Sequence, residues 1–335
     1  MRVVVTGGLG FIGSNFIRHT ISKFDDVLNV DNLSYGSNRR NLDDVKDVRK
    51  YKFVRGSTWN GGLVTRITRK ADIIVNFAAE SHVDRSISNP ESFVKSNILG
   101  TFRLLEAARK NDVGTFLHVS TDEVYGDADS RNIKSFKEDD STWPSNPYSA
   151  TKASAESLVL SYCRTYGLKC IVTRCSNNFG PYQSPEKLVP KTIIRALSNQ
   201  RIPLYGGGTQ KRSWIYVLDH VEALEAVMHR GRSGQIYNIS AWGELTNQEI
   251  VEKVLSILGK PDDLMETTED RPGHDRRYSI DFSKVSAQIG WHPRYDLDNA
   301  IEETVNWYTA NRIWWARTAS ARTLHPAPWK LKWSK

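Results

Sequence analysis

Cysteine is scarce. There are three in 335 residues, Cys163, Cys170 and Cys175, an odd number with no CxxC pair and no accompanying cluster of histidines. Neither a disulfide framework nor a zinc site is indicated, and core packing is the role expected of the thiols. Long apolar runs are lacking too: the longest are like residues 73–79, far short of the roughly 20 residues a membrane-crossing helix needs. The chain opens directly into a strand rather than a basic segment followed by an apolar one. The expectation is a soluble, cytoplasmic protein with no membrane partner. Acidic residues are missing from 317–335, where Arg317, Arg322, Lys330, Lys332 and Lys335 supply five of the eight net positive charges and leave three for the rest. That remainder shows neither a concentrated basic face nor a recognition motif, so nucleic acid is not expected as a partner, whereas a mildly basic enzyme suits an anionic substrate. No internal repeat, low-complexity linker or metal-ligating set is seen.

What is present is a chain with 39% hydrophobic residues, long enough for one large domain or two smaller ones. Apolar, β-rich runs at 3–6, 27–31, 52–54, 73–77, 116–120 and 170–173 alternate with helical patterns. Strands buried on both faces and joined by helices imply a doubly wound parallel sheet of the Rossmann type, whose ligand crevice lies beyond the carboxyl ends of the strands. After Arg174 the regularity gives way to segments rich in Asn, Pro and Gly, such as 177–185 and 206–208. The expected layout is α/β. A cofactor-binding domain covers 1–174 with a return segment at about 213–240, a smaller mixed α/β substrate-binding domain covers 175–212 and 241–316, and a basic, tryptophan-containing tail covers 317–335.

The first strand runs into Gly7-Gly8-Leu9-Gly10-Phe11-Ile12-Gly13, followed by a helical segment with Ser14, Phe16 and Ile17. Small residues let such a loop turn tightly against a pyrophosphate, and the helix start supplies free N–H groups and partial positive charge. Asp31 ends the next strand 18 residues after Gly13. A carboxylate there accepts both ribose hydroxyls and repels a 2′-phosphate, which favours NAD over NADP. The plainer reading is a tight turn with Asp31 as a helix cap.

Tyr148-Ser149-Ala150-Thr151-Lys152 puts a phenol and an ammonium four residues apart on one helix face. The ammonium is expected to lower the phenol pKa and make Tyr148 a base for a sugar hydroxyl. Upstream, an apolar strand delivers Ser120-Thr121-Asp122-Glu123-Val124-Tyr125-Gly126 to the ligand edge of the sheet. A dehydrogenase needs only a hydroxyl donor here, which Thr121 supplies. The two extra acids imply proton traffic at other carbons, one group protonated to release water and one ionised to take a C–H proton. The plain alternative is a solvated strand end with both acids capping a turn.

These residues lie within a longer series of motifs, in order: TGGLGFIGSNF, VDNLSYG, NFAAESHVDRSI, STDEVYGD, YSATK, RCSNNFGPYQ, PEKLVP, KRSWIYVLDH and RPGHDRRY. The series resembles the nucleotide-sugar 4,6-dehydratases of the extended short-chain dehydrogenase superfamily, most closely those acting on dTDP-glucose, from about Met1 to Trp315. The resemblance implies that Thr121 binds the 4-hydroxyl, Tyr148 is the base for oxidation, Asp122 the acid for the departing 6-hydroxyl and Glu123 the base at C5. Lys152 would bind the nicotinamide ribose and tune Tyr148. It further implies that NAD is held by Gly7, Gly10, Phe11, Ile12 and Gly13, by Asp31, Asn32 and Ser34, and by Ser57, Thr58, Ala78, Ala79, Ser96 and Asn178 together with Tyr148 and Lys152. The nucleotide-diphosphate hexose would be held by Ser81, Asn177, Lys187, Leu188 and Tyr205, and by Arg212, Asn247, Arg271 and His274. Subunits of the family pair through helices, so a homodimer is implied.

Departures are visible. Gly56-Ser57-Thr58 stands where the family often has Gly-Asp-Ile to hold adenine, and Arg212-Ser213-Trp214 where it has Arg-Asp-Trp. The tail from Arg317, with Trp329 and Trp333, matches nothing in the family, which leaves a disordered segment, a partner-binding segment and an ornament all open. Two other functions share these motifs: a nucleotide-sugar 4-epimerase or decarboxylase using the same oxidation, and a non-catalytic NAD-binding regulator. The regulator would be expected to lack Tyr148 or Lys152, and both are present.

Overall fold

The computed structural model describes residues 1–241 and 243–333. Its strands in chain order are β1 (Arg2–Thr6), β2 (Asp26–Asp31), β3 (Tyr51–Arg55), β4 (Ile73–Asn76), β5 (Thr115–Thr121), β6 (Cys170–Cys175), β7 (Asn177–Phe179), β8 (Ile202–Tyr205), β9 (Lys211–Tyr216), β10 (Ile236–Ile239), β11 (Glu244–Thr246), β12 (Met265–Thr268) and β13 (Arg277–Tyr278). Seven of them form one parallel sheet in the order β10-β6-β5-β4-β1-β2-β3. The six strand-like runs of the sequence are its first six strands. Winding reverses between β1 and β4, so a crevice opens at their carboxyl ends.

Alternation along each strand divides the core into two layers. Val3 and Val5, Ile73 and Val75, and Leu117 and Val119 face the layer containing helices Phe11–Thr20 and Val217–Arg230. Val4, Ile74 and Phe116 face the layer containing helices Gly61–Ile67, Gly100–Lys110 and Pro147–Tyr166. Every one of these strand side chains is buried, which explains why the strands read as continuous apolar runs instead of alternating ones.

A second sheet is built on β9, which lies between β11 and β13 and also pairs with β7, while β8 and β12 pair separately. Its core gathers Phe179, Ile193, Trp214, Ile250, Ile301 and Tyr308. The chain crosses between the layers more than once: β10 and the helix Val217–Arg230 belong to the large sheet, and so do Val285 and Ile289 of the helix Ser283–Ile289. The tail is packed through residue 333, with Leu324, Trp329 and Trp333 buried, so disorder does not describe residues 317–333. The three cysteines are free thiols, Cys170 and Cys175 buried and Cys163 half-buried.

The helix carrying Tyr148 and Lys152 is pinned to β6 by a buried ion pair. Arg174 donates from Nη2 to Glu156 Oε2 at 2.7 Å and from Nε at 3.1 Å, and its guanidinium lies 4.4 Å from the Tyr125 ring centre. Glu156→Ala strands that cation in the core and is expected to cost about 3–5 kcal/mol, read as a lowered urea midpoint. A loss below about 1 kcal/mol would show that the pair does not hold the helix.

Candidate active site

The glycine loop and β5 end at the same edge of the large sheet and line one cleft. Its volume is about 300 Å³, within the roughly 300–1,000 Å³ of ordinary small-ligand pockets.

At one end, Gly7 has φ +71°, and a Cβ there would lie 2.7 Å from Ala78 N. A Cβ on Gly13 would lie 2.5 Å from Gly7 O. Glycine is therefore required where the loop packs against the start of the helix. Gly10 caps that helix without a side-chain hydrogen bond, and the first intrahelical bond runs from Ser14 N–H to Gly10 O. The amides of Phe11, Ile12 and Gly13 thus point out of the helix start, a cradle that suits a pyrophosphate. Asp31 closes β2 and lines the cleft. Its carboxylate already accepts from Leu9 N–H (3.1 Å), Leu33 N–H (2.8 Å) and Ser37 Oγ–H (2.8 Å). With about four lone-pair sites on a carboxylate, a ribose diol can take both hydroxyl contacts only by sharing with Ser37.

Asn32, Ser34, Thr58, Ala78, Ala79, Ser96 and Asn178 also line the cleft. Ser57 does not; its carbonyl accepts from Asn60 N–H (3.0 Å) while Thr58 and Trp59 form the wall. Asn178 is fixed by Nδ2 donating to Ser176 O (2.9 Å) and by Oδ1 against His220 Nδ1 (2.8 Å).

At the other end stands the constellation of acids and phenol. Thr121 begins a single turn, Asp122–Tyr125, and its Oγ1 accepts from Glu123 N–H. Asp122 is 3% exposed. Burial, then the adjacent Glu123, push its carboxyl up to about 8, against the pull of Arg212 and a hydrogen bond from Thr121. Burial also raises Glu123, but Arg271, Lys187 and Arg212 oppose it. Asp122 Oδ2 and Glu123 Oε2 are both buried without a hydrogen-bond partner among the described residues. Such acceptors are costly unless a ligand completes them.

Tyr148 and Lys152 are buried on the same helix face and both line the cleft. Lys152 is expected to lower the Tyr148 pKa, and it is not among the groups that act most strongly on that phenol. Burial, then Glu123 and Cys175, hold Tyr148 well above the ordinary phenol value, and the hydrogen bond to Thr121 pulls the other way. Lys152 donates its Nζ proton to Val119 O at 2.7 Å and is itself lowered to about 8 by burial. Its charge is directed at the backbone.

Of the residues expected to hold a sugar nucleotide, Ser81, Asn177, Lys187 and Leu188 line the cleft beside Thr121, and Lys187 Nζ donates to Ser81 O (3.2 Å). Tyr205, Arg212, Asn247, Arg271 and His274 stand off its lining, in a second group. Arg271 Nη1 donates to Asp84 Oδ1 (2.8 Å) and Tyr205 Oη to Asp84 Oδ2 (3.2 Å). Arg212 donates to the carbonyls of Lys211, Asp275 and Arg276. His274 meets Asp270 at 2.5 Å, and Asn247 donates to Gln210 Oε1 (3.2 Å). Sequence reasoning overlooked Asp84, which joins Tyr205 to Arg271, and the cleft residues Trp59, Glu80, His82, Arg85 and Glu186. The only signal for most of them was their place inside the strings NFAAESHVDRSI and PEKLVP.

Comparison with known proteins gives a consistent picture. The profile of the family described as GDP-mannose 4,6 dehydratase matches residues 4–304. The chain is 44% identical over 321 residues to a dTDP-glucose 4,6-dehydratase of Streptomyces niveus, covering 94% of this chain and 95% of the relative. It is 48% identical over 309 residues to the low-salt glycan biosynthesis protein Agl12 of Haloferax volcanii, covering 92% and 98%. The crystal structure of the dTDP-glucose 4,6-dehydratase DesIV of Streptomyces venezuelae, solved with NAD bound, superposes with a TM-score of 0.93 at 42% identity, covering 95% of this chain and 100% of that one.

The raised Asp122 carboxyl makes stability pH-dependent. A folded pKa of about 8 against an ordinary value near 4 means its contribution is complete below about pH 4 and is lost as pH rises through about 8. Asp122→Asn removes that loss, so the cofactor-free variant is expected to melt above the parent at pH 8, with the gap closing toward pH 4. A gap that does not change with pH would mean that Asp122 is ionised in the folded site.

Proposed function

We infer the function from one premise: this chain belongs to the family described as GDP-mannose 4,6 dehydratase. It is a hydro-lyase that converts a nucleotide-activated glucose, dTDP-glucose, to the 4-keto-6-deoxy sugar with NAD as a catalytic cofactor. The observation that carries this reading is the pair Asp122 and Glu123, each with a buried oxygen that no group among the described residues bonds, next to Thr121 and Tyr148. An epimerase or decarboxylase needs an oxidising site but not a second acid and base.

The residues fit NAD: the Gly7–Gly13 cradle takes its pyrophosphate, Asp31 a ribose, and Ser96, Tyr148 and Lys152 the nicotinamide end. Bound NAD supplies a reversible two-electron oxidation, with hydride leaving C4 and returning at C6, and a positive ring charge that favours the phenolate of Tyr148. Tyr148 then takes the C4 hydroxyl proton while Thr121 holds the same oxygen. The resulting ketone acidifies C5–H, and Glu123 removes that proton. Asp122, kept protonated at neutral pH, gives its proton to the departing C6 hydroxyl. Glu123 returns a proton to C5, and the net change is loss of water. Lys187, Arg212 and Arg271 offset the charge of the nucleotide diphosphate.

In this reading, residues 1–174 with the return segment near 213–240 bind the cofactor, and 175–212 with 241–316 bind the sugar nucleotide. Assembly is a homodimer through the helix Pro147–Tyr166; the small exposed residues Ser154, Ser157 and Ser161 on its outer face support close helix approach. The three free thiols support a reducing, cytoplasmic location.

Substrate deuterated at C4 tests the reaction. Label is expected at C6, and in heavy water a solvent deuteron at C5. Glu123→Gln should still oxidise C4 but stop exchange at C5, and Asp122→Asn should oxidise yet eliminate water slowly, each about 10²- to 10⁴-fold down in its step. Tyr148→Phe should bind NAD but fail to oxidise. Label that stays at C4, or both acid variants turning over at the parent rate, would sink the assignment in favour of an epimerase.

A further inference from the structure

The tail lies beyond the span matched by the family profile, which ends at residue 304, yet it is anchored to both halves of the cleft. Arg195 Nη2 donates to Leu324 O (2.5 Å) and Lys191 Nζ to His325 O (3.3 Å). Trp329 stands edge-on to Tyr205 with ring centres 4.8 Å apart, and Lys330 pairs with Glu269. At its end, Trp333 reaches the cofactor side: its ring is 4.6 Å from the guanidinium carbon of Arg85, which lies 3.7 Å from the ring of Tyr35. The two rings are themselves 5.4 Å apart.

Arg85 lines the cleft. Its side chain is 15% exposed, its Nε and Nη1 are buried with no hydrogen-bond partner among the described residues, and the carboxylate of Glu80 is 3.8 Å from Nη1. The two ring centres, 5.4 Å apart, lie at roughly a right angle about the guanidinium carbon and limit its movement, while its unbonded N–H donors still need an acceptor. Of the other arginines near the site, Arg212 donates to backbone carbonyls and Arg271 donates through Nη1 to Asp84 while its Nε has no partner among the described residues.

We propose that Arg85 is a further phosphate-binding residue of this cleft, and that the C-terminal segment, through Trp333, holds its guanidinium in place. The ligand is a diphosphate. Two are brought to the cleft, one in the cofactor and one in the sugar nucleotide, and this part rests on the function proposed above.

Titration calorimetry on the full-length protein separates the two sources, with NAD in one arm and dTDP in the other, and thymidine as the ligand without phosphate. Arg85→Ala is expected to weaken one of the diphosphate ligands by about ten- to a hundredfold and to leave the other, and thymidine, unchanged. Loss in the NAD arm assigns the cofactor; loss in the dTDP arm assigns the substrate. Unchanged affinity for both overturns the proposal, as does parental affinity in the Arg85→Ala/Glu80→Gln double variant, which would make Arg85 only a counter-charge for Glu80. Trp333→Ala and a chain ending at residue 322 should each weaken the same ligand by a smaller factor, with Trp333→Phe close to the parent. If the shortened chain does not fold, as judged by circular dichroism, Trp333→Ala decides. Parental binding by Trp333→Ala removes the role of the tail. A parent that binds NAD but neither binds dTDP nor converts dTDP-glucose would defeat the proposed function while leaving the NAD arm as a test of Arg85.

Discussion

Moving a carboxyl group out of water costs several kcal/mol unless it is bonded, paired or protonated, and this fold buries two side by side. Asp122 and Glu123 each leave an oxygen without a partner among the described residues, so the surrounding structure has to carry the cost. It does so in two ways. Asp122 keeps its proton, raised to about 8, and Glu123 is drawn back by the cations Arg271, Lys187 and Arg212. Those cations come from segments far along the chain, which is why the second sheet must close over the edge of the first.

The large sheet provides the rigidity this demands. β5 is buried along its whole length between β4 and β6, so its carboxyl end holds Thr121 and the two acids in a fixed position. The same edge carries the glycine loop from β1. One topological feature, the reversal of winding beside β1, thus brings cofactor cradle and proton-transfer groups into a single cleft. The Glu156–Arg174 pair adds the third part by fixing the helix of Tyr148 and Lys152 against β6.

Local patterns were legible in the sequence, and long-range ones were not. The first six strands, the glycine loop and the Asp122–Glu123 strand end depend on residues close together in the chain, and all were readable. Asp84 was not, because its partners Tyr205 and Arg271 lie 121 and 187 positions away and no spacing rule connects them. For Lys152 the four-residue spacing gave the face shared with Tyr148, while the hydrogen bond of its Nζ to Val119 O depends on β5, which no local spacing reveals. Ser57 was assigned by alignment with a motif, whereas the turn it sits in directs Thr58 and Trp59 to the cleft instead. The tail, with Leu324, Trp329, Leu331 and Trp333 scattered among basic and small residues, gave no period to read and yet packs through residue 333.

Two aspartates show how far environment decides chemistry here. Asp84 and Asp122 are the same residue, each 3% exposed, and burial pushes both carboxyls up. Asp84 nevertheless ends at about 2, because Arg271, His82 and Lys191 surround it, while Asp122 ends at about 8, because its nearest charged neighbour is another acid. The difference is not one of depth but of which charges each faces. A permanently ionised Asp84 is suited to anchoring Arg271 and Tyr205 and unsuited to proton transfer. A protonated Asp122 is the reverse, since near neutral pH it has a proton to give to a leaving hydroxyl and would bond a neighbour too weakly to anchor it. The division between groups that hold and groups that react therefore follows from where the chain places its arginines and lysines.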